Sequence, residues 1–323
     1  MYDFICSDAT TVSLGDALTR RGQRLCGRLV VPGSNAHVAT TLVMGETEGP
    51  TLLVSAGVHG AEYVGIGAAG LLAQRTQPSE LTGTLIVLHC CNLGAFLNHV
   101  IDVMPEDGLN LNRAFPTTDA DTPSQCMARF IEGIACSYAD AHLDVHSGDA
   151  HQDLLPHCYY SANPAFGDTA RRSHELALSL GLPFAVATLG TRCVYQNANW
   201  RGVPSVLTEM GRQGVYDPEL ADQYAVSLMR GLAHLGMLRQ PPGRAPRTAD
   251  LLTASYPEAP MEGCWHPLVK VGDRVKTGQL LGTIRSFFGD ELARIEAQQD
   301  GVVLYLTTAL STRKGAELLA YGA

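Results

Sequence analysis

Three residues of this sequence have the types and spacing of a metal centre. The run Gly57-Val58-His59-Gly60-Ala61-Glu62 sets an imidazole and a carboxylate three positions apart. It lies where a β-rich apolar segment, Thr51 to Ala56, gives way to a helix-like one, about Ala61 to Arg75. This spacing is expected to put both side chains on one face of the first helical turn. A third ligand must come from elsewhere, and His146, directly after the apolar run Ala141 to Val145, is the candidate. Two imidazoles and one carboxylate leave the fourth tetrahedral position of a zinc ion to water, which is the pattern of a catalytic site. Zinc lowers the pKa of such a water towards ~7 and polarises a carbonyl. Glu209 follows another apolar run, Ser205 to Thr208. A carboxylate there loses solvation, its pKa rises, and it suits acid–base work. Arg113, beside Asn112, offers a planar fork for a substrate carboxylate with a directional donor next to it. Asp144, Asp107 or the carboxamide of Asn110 could orient a ligand imidazole, and the sequence does not choose among them.

These residues need a scaffold. Thr84 to Cys91 reads as a further strand, and Arg171 to Leu180 and Leu220 to Leu238 as helices. Strands alternating with helices imply an α/β fold with a mostly parallel buried sheet and helices on both faces. Such sheets carry their sites at the carboxyl ends of the strands, just where His59, His146 and Glu209 fall. Gln240 to Arg247, with three prolines and no apolar periodicity, reads as a linker. Beyond it, short β-like runs follow one another: Leu268 to Val271, Leu280 to Ile284, Gly301 to Leu306 and Glu317 to Ala320. The expected division is a catalytic α/β region, 1–247, and a small all-β region, 248–323. Gly65, Gly67 and Gly70 match a dinucleotide-binding pattern, but His59 and Glu62 intervene between them and the strand, so close helix packing is the better account. His151, Asp153, His157, Tyr159, Tyr160 and Tyr195 are further candidates for a pocket wall.

Bulk properties narrow the classes. The chain has 323 residues, 46% hydrophobic and 17% charged, with a formal charge of −9. A sizeable core is affordable, and a nucleic-acid partner is not expected because a phosphate backbone would be repelled. No apolar stretch approaches the ~18 residues of a membrane span, and Met1 to Thr10 does not read as a signal peptide. Nine scattered cysteines, without a CxxC pair, fit a reducing cytoplasm better than a disulfide framework. A homo-oligomer is compatible with all of this.

GVHGAE, DGLNLNRAFP, LDVHSG, VLTEMG and WHPLVKVGDRVKTGQLLG, in that order, resemble the succinylglutamate desuccinylase/aspartoacylase family of the zinc carboxypeptidase superfamily. The resemblance runs from about Thr51 to the C-terminus. It implies a phosphorylase/hydrolase-like fold and one zinc held by His59, Glu62 and His146. It implies that Asn112 and Arg113 grip a substrate carboxylate and that Glu209 serves as general base and then acid. The expected activity is hydrolysis of the linear, non-peptide amide of a small N-acyl amino acid. A zinc carboxypeptidase acting on peptides, or an inactive metal-binding homologue with a regulatory role, are the alternatives. Members often carry an Arg before the Asn-Arg motif that polarises the scissile carbonyl. Asn98 to Glu106 has none, and His99 is the cationic candidate there. The C-terminal region is similar to a lipoyl/biotinyl-type module. Arg285 to Gly289 stands where a carrier Lys would sit and Lys276 belongs to the preceding turn, so neither modification is expected.

Overall fold

The computed structural model describes residues 2–240 and 242–323. Met1 of the N-terminal segment and Pro241 of the expected linker lie outside the described residues. The chain opens with β1 (Asp3–Cys6), β2 (Thr11–Ser13), a short α1 (Leu14–Leu18), β3 (Arg24–Val30) and β4 (His37–Met44). The α/β alternation follows as β5 (Thr47–Ala56), α2 (Tyr63–Arg75), β6 (Thr82–Leu88), α3 (Leu93–Asn98), α4 (Pro123–Tyr138) and β7 (Ala141–His146). It continues through β8 (Gln152–Leu154), β9 (His157–Ser161), α5 (Asp168–Ser179), β10 (Phe184–Thr188), α6 (Val194–Trp200), β11 (Ser205–Glu209) and α7 (Pro218–His234).

Eleven strands form one mixed sheet in the order β12-β10-β9-β11-β7-β5-β6-β4-β3-β1-β2, where β12 is Ala249–Leu251. Its middle is parallel from β11 through β7 and β5 to β6, as the alternation of strands and helices predicts. β9 enters antiparallel to β11. The N-terminal strands add an antiparallel wing beyond β6, a part of the chain in which the sequence reading placed no element. Period-two alternation along β5 divides its side chains between two cores. Leu52, Val54 and Ala56 pack with Leu72 of α2 and Leu228 of α7, while Leu53 packs with Phe130 and Ile134 of α4. Helices therefore cover both faces. α7 starts at Pro218 behind the Asp217 cap, whose carboxylate accepts from the amides of Glu219 and Leu220, and it stops short of the expected Leu238. Gly236, at φ +72°, takes the left-handed turn that ends it.

The C-terminal region comprises β13 (Ala254–Ser255), β14 (Gly263–Pro267), β15 (Arg274–Val275), β16 (Leu280–Arg285), β17 (Glu291–Glu296), β18 (Gly301–Thr307), β19 (Ser311–Thr312) and β20 (Leu319–Gly322). One sheet runs β13-β20-β18-β15, with β8 added on β18, and the other runs β17-β16-β14-β19. Trp265, Leu281, Val303 and Tyr321 fill the space between them. The expected strand at Leu268 to Val271 is corrected. The strand lies earlier, at Gly263–Pro267, and Leu268–Val271 forms the following turn, in which Asp273 accepts from the Lys270 amide. β12 also departs from an all-β C-terminal block, because it pairs in parallel with β10 of the large sheet.

Candidate active site

β5, β7 and β11, in the middle of the sheet, bring the candidate residues together at their carboxyl ends. In the parallel β7–β11 pair, Glu209 is the register partner of His146, so both side chains leave the same face at neighbouring strand ends. His146 and Glu209 are the last residues of their strands, while His59 follows β5 by three. The structure corrects the expected helical setting of His59 and Glu62. Helix α2 begins at Tyr63, and residues 57–62 form a non-helical turn. Two glycines explain the turn. Gly57 has φ +63°, and a Cβ there would lie 2.8 Å from the Cys90 sulfur. A Cβ on Gly60 would meet the Ala95 carbonyl carbon at 2.4 Å, so the turn is pressed against α3. Gly65 and Gly67 pack closely within α2, against the His146 carbonyl and Tyr216, whereas Gly70 faces open space. Close packing therefore accounts for the first two glycines of the dinucleotide-like pattern and not for the third.

The donor atoms of His59, Glu62 and His146 all lie within 4.8 Å of one another. His59 Nδ1 is 2.7 Å from one Glu62 oxygen and His146 Nδ1 is 3.0 Å from the other. Each imidazole has a partner on its other nitrogen: Asn110 Oδ1 lies 3.2 Å from His59 Nε2, and Asp144 Oδ2 lies 3.2 Å from His146 Nε2. When both Nε2–H groups donate to these oxygens, both Nδ1 lone pairs are left for the centre. Asn110 is itself fixed. Its Nδ2 donates to Asp102 and its Oδ1 also accepts from the Asn112 amide. Asp144 accepts from Ser55 Oγ at 2.8 Å, which leaves that hydroxyl to accept from His142 Nε2 at 2.8 Å. Ser205 Oγ closes this buried chain at His142 Nδ1. Of Asp144, Asn110 and Asp107, the first two lie against the imidazoles and the third does not. Asp107 accepts from the Ser124 amide and hydroxyl and caps α4 instead. This donor set fits a divalent metal, with two neutral imidazole nitrogens, one carboxylate and an orienting acceptor behind each ring.

Electrostatics separates the two carboxylates. Burial alone would raise the pKa of Glu62, but His146 and His59 outweigh it and hold Glu62 down to about 2. Burial, reinforced by the charge of Glu62, pushes Glu209 well above the usual carboxylate range. Its Oε2 is buried without a hydrogen-bond partner among the described residues. The two neighbouring carboxyls are thus driven in opposite directions, Glu62 towards the anion and Glu209 towards the protonated form.

The site opens into a cleft of about 840 Å³. Asn112 and Arg113 line it from a 3₁₀ turn, Leu111–Arg113, and Asn112 Oδ1 accepts from the Val194 amide, which leaves its Nδ2 as a donor. Arg113 has no ion-pair partner among the described residues. Tyr159 and Tyr195 reach the cleft, while His151, Asp153, His157 and Tyr160 do not line it. The structure does not bring His99 to the site. It is the exposed C-cap of α3, at φ +55°, because the helix ends there in a left-handed turn and directs the chain away. Arg192 was missed. It lies in the loop after β10, lines the cleft, and has no ion-pair partner among the described residues. A cation just past a strand end was the readable signal, by the same topological rule that found Glu209. Leu252, Thr253, Ala254, Tyr256, Tyr305 and Glu317 also line the cleft, so the C-terminal region supplies a wall of the site.

Among the described residues no helix is long and apolar enough to cross a membrane, and all nine cysteines are free. Residues 48–235 match the model of the succinylglutamate desuccinylase/aspartoacylase catalytic domain. The chain is 30% identical over 294 residues to an N-alpha-acetyl-L-2,4-diaminobutyric acid deacetylase of Halomonas elongata, covering 86% of this chain and 85% of the relative. Among solved structures it is similar to a succinylglutamate desuccinylase/aspartoacylase from Rhodobacter sphaeroides, with TM-score 0.81, 27% identity and coverage of 95% and 96% of the two chains. It also shares its fold with a product-bound ectoine utilization protein from Ruegeria pomeroyi, with TM-score 0.83, 24% identity and coverage of 95% and 97%.

Proposed function

Because the chain belongs to the succinylglutamate desuccinylase/aspartoacylase family, we propose that it is a zinc-dependent deacylase hydrolysing the linear amide of a small N-acyl amino acid. The observation that carries this reading is the unpartnered Glu209 carboxyl beside three convergent donors, His59, Glu62 and His146, at the floor of an open cleft. When bound, zinc supplies a Lewis acid and a more acidic water. The remaining work falls to the protein. Glu209 takes a proton from the attacking water and hands it to the leaving nitrogen, a task that suits its raised pKa. Asn110 and Asp144 hold the ligand rings. Arg113 and Asn112 grip a substrate carboxylate, and Arg192 is the cation available to the carbonyl oxygen, the role first looked for at His99. The deacetylase relative makes an N-acetyl diamino acid the first substrate to try. We read the C-terminal region as lipoyl/biotinyl-type without a carrier function, since the β16–β17 turn presents Phe287 and Phe288 rather than Lys.

The test is metal analysis of the purified protein together with acetate release from Nα-acetyl-2,4-diaminobutyrate and from an N-acylated dipeptide. About one zinc per chain, with acetate release that chelation abolishes and zinc restores, supports the reading. Release of amino acid from the dipeptide alone would favour a carboxypeptidase. Zinc binding without any hydrolysis would favour the inactive homologue.

A further inference from the structure

Five carboxyls line the cleft, and four have evident employment. Glu62 belongs to the metal centre and Glu209 to proton transfer. Asp102 holds Asn110, and Asp149 accepts from the His151 amide. Glu317, contributed by the C-terminal region, accepts no hydrogen bond and has no ion pair among the described residues. It sits where an isolated bridge joins it to Glu258, just before β20. Its side chain is exposed at the cleft, yet the protein packed around it desolvates the carboxyl and pushes its pKa up to about 7, opposed by the charge of Arg113 and assisted by that of Glu258. Arg113 lines the same cleft and forms no ion pair with Glu317 among the described residues. Tyr159, Tyr256 and Tyr305 line the cleft as well.

An unpaired carboxylate and an unpaired guanidinium on one cleft are complementary to a ligand carrying both charges. A substrate with two carboxylates would bring an anion against Glu317, the repulsive arrangement by which sites reject close analogues. We propose that Glu317 is a specificity residue that binds an ammonium group on the substrate side chain while Arg113 holds its carboxylate, so that the C-terminal region selects N-acyl diamino acids over neutral or acidic N-acyl amino acids. The nearby tyrosine rings would favour the same cation through their faces. This inference rests on the deacylase reading for its substrate, but the binding step can be tested apart from turnover.

The experiment compares wild type with Glu317→Gln in two assays. In the first, calorimetry measures binding of 2,4-diaminobutyrate and of 2-aminobutyrate, which lacks the side-chain ammonium. The wild type should prefer the diamine by roughly ten- to hundred-fold, and the variant should lose that preference. In the second, acetate release from Nα-acetyl-2,4-diaminobutyrate should show a raised KM in the variant, while KM for Nα-acetyl-2-aminobutyrate stays unchanged. Equal loss on both substrates would mean that Glu317 acts by steering Arg113, and would overturn the proposal. No preference for the diamine in the wild type would overturn it too. If no substrate is hydrolysed, the deacylase reading falls, and the calorimetric preference and its dependence on Glu317 still decide the specificity assignment.

Discussion

Around His59, Glu62 and His146 nearly every polar atom has a partner, and each partner has one of its own, from Asp144 through Ser55 and His142 to Ser205. Along the cleft walls two charged groups stand without partners among the described residues, Glu317 from the C-terminal region and Arg113 from the Leu111–Arg113 turn. The difference separates two jobs. A metal centre works when its ligands cannot move, so it is placed on strand ends and braced from behind. A recognition surface works when its charges are unsatisfied until the right ligand arrives, and loops and a second region provide that more readily than a sheet.

This contrast can be broken or sharpened by substitution. The largest effect is expected for His146→Ala, which should abolish metal binding and activity together, as read by metal analysis after gel filtration. Glu209→Gln should leave metal content at the wild-type level and lower kcat by about 10²–10⁴-fold. Retained turnover in that variant would remove Glu209 from the reaction. Asp144→Asn keeps the shape of the chain behind His146 but replaces its anion with an amide, and metal affinity in a chelator competition should weaken by about 10–100-fold. If Asp144→Asn bound metal as tightly as wild type, the bracing would be structural only. The smallest effect concerns pH. With its pKa pushed up to about 7, Glu317 is anionic above that pH and neutral below it. Preference for a diamine ligand should therefore be present above about pH 7 and fade as pH falls through it. Arg113 and Glu258 are the charged groups that face Glu317. A preference that is flat with pH in calorimetry would detach it from Glu317.

How much of this was readable follows the same division. His59, Glu62, His146 and Glu209 could be picked out as candidates because ligand types near strand ends are a short-range signal tied to a topological rule, and the structure brings the first three within reach of one another, with Asn112 and Arg113 on the same cleft. The parallel middle of the sheet was legible from apolar runs alternating with helical periods. Asp144 and Asn110 were named but not separated from Asp107, because bracing depends on a distance that the sequence does not contain. Asp107 turned out to cap α4. Arg192, although it stands just past a strand end, was not picked out, and Glu317 left no trace. Each is a lone charge in a loop, and its place in the cleft exists only once β10 and the C-terminal sheets have folded into position. The helix expected to carry His59 and Glu62 failed for a local reason: Gly57 and Gly60 permit a turn tighter than a helix against α3.

The strand pairings at the boundary have one more consequence. β8, from the middle of the larger region, adds to β18, while β12, from beyond the 242–247 segment, adds to β10 of the large sheet. Each region thus lends the other a strand. Cutting the backbone within 242–247 should not separate the molecule into two bodies, because six of the pairings that hold it together, three at each exchange, cross the cut. Expressing either piece alone would expose a bare sheet edge, an invitation to self-association. The wall bearing Glu317 is tied to the floor bearing His146 as closely as two layers of one garment sewn at both hems.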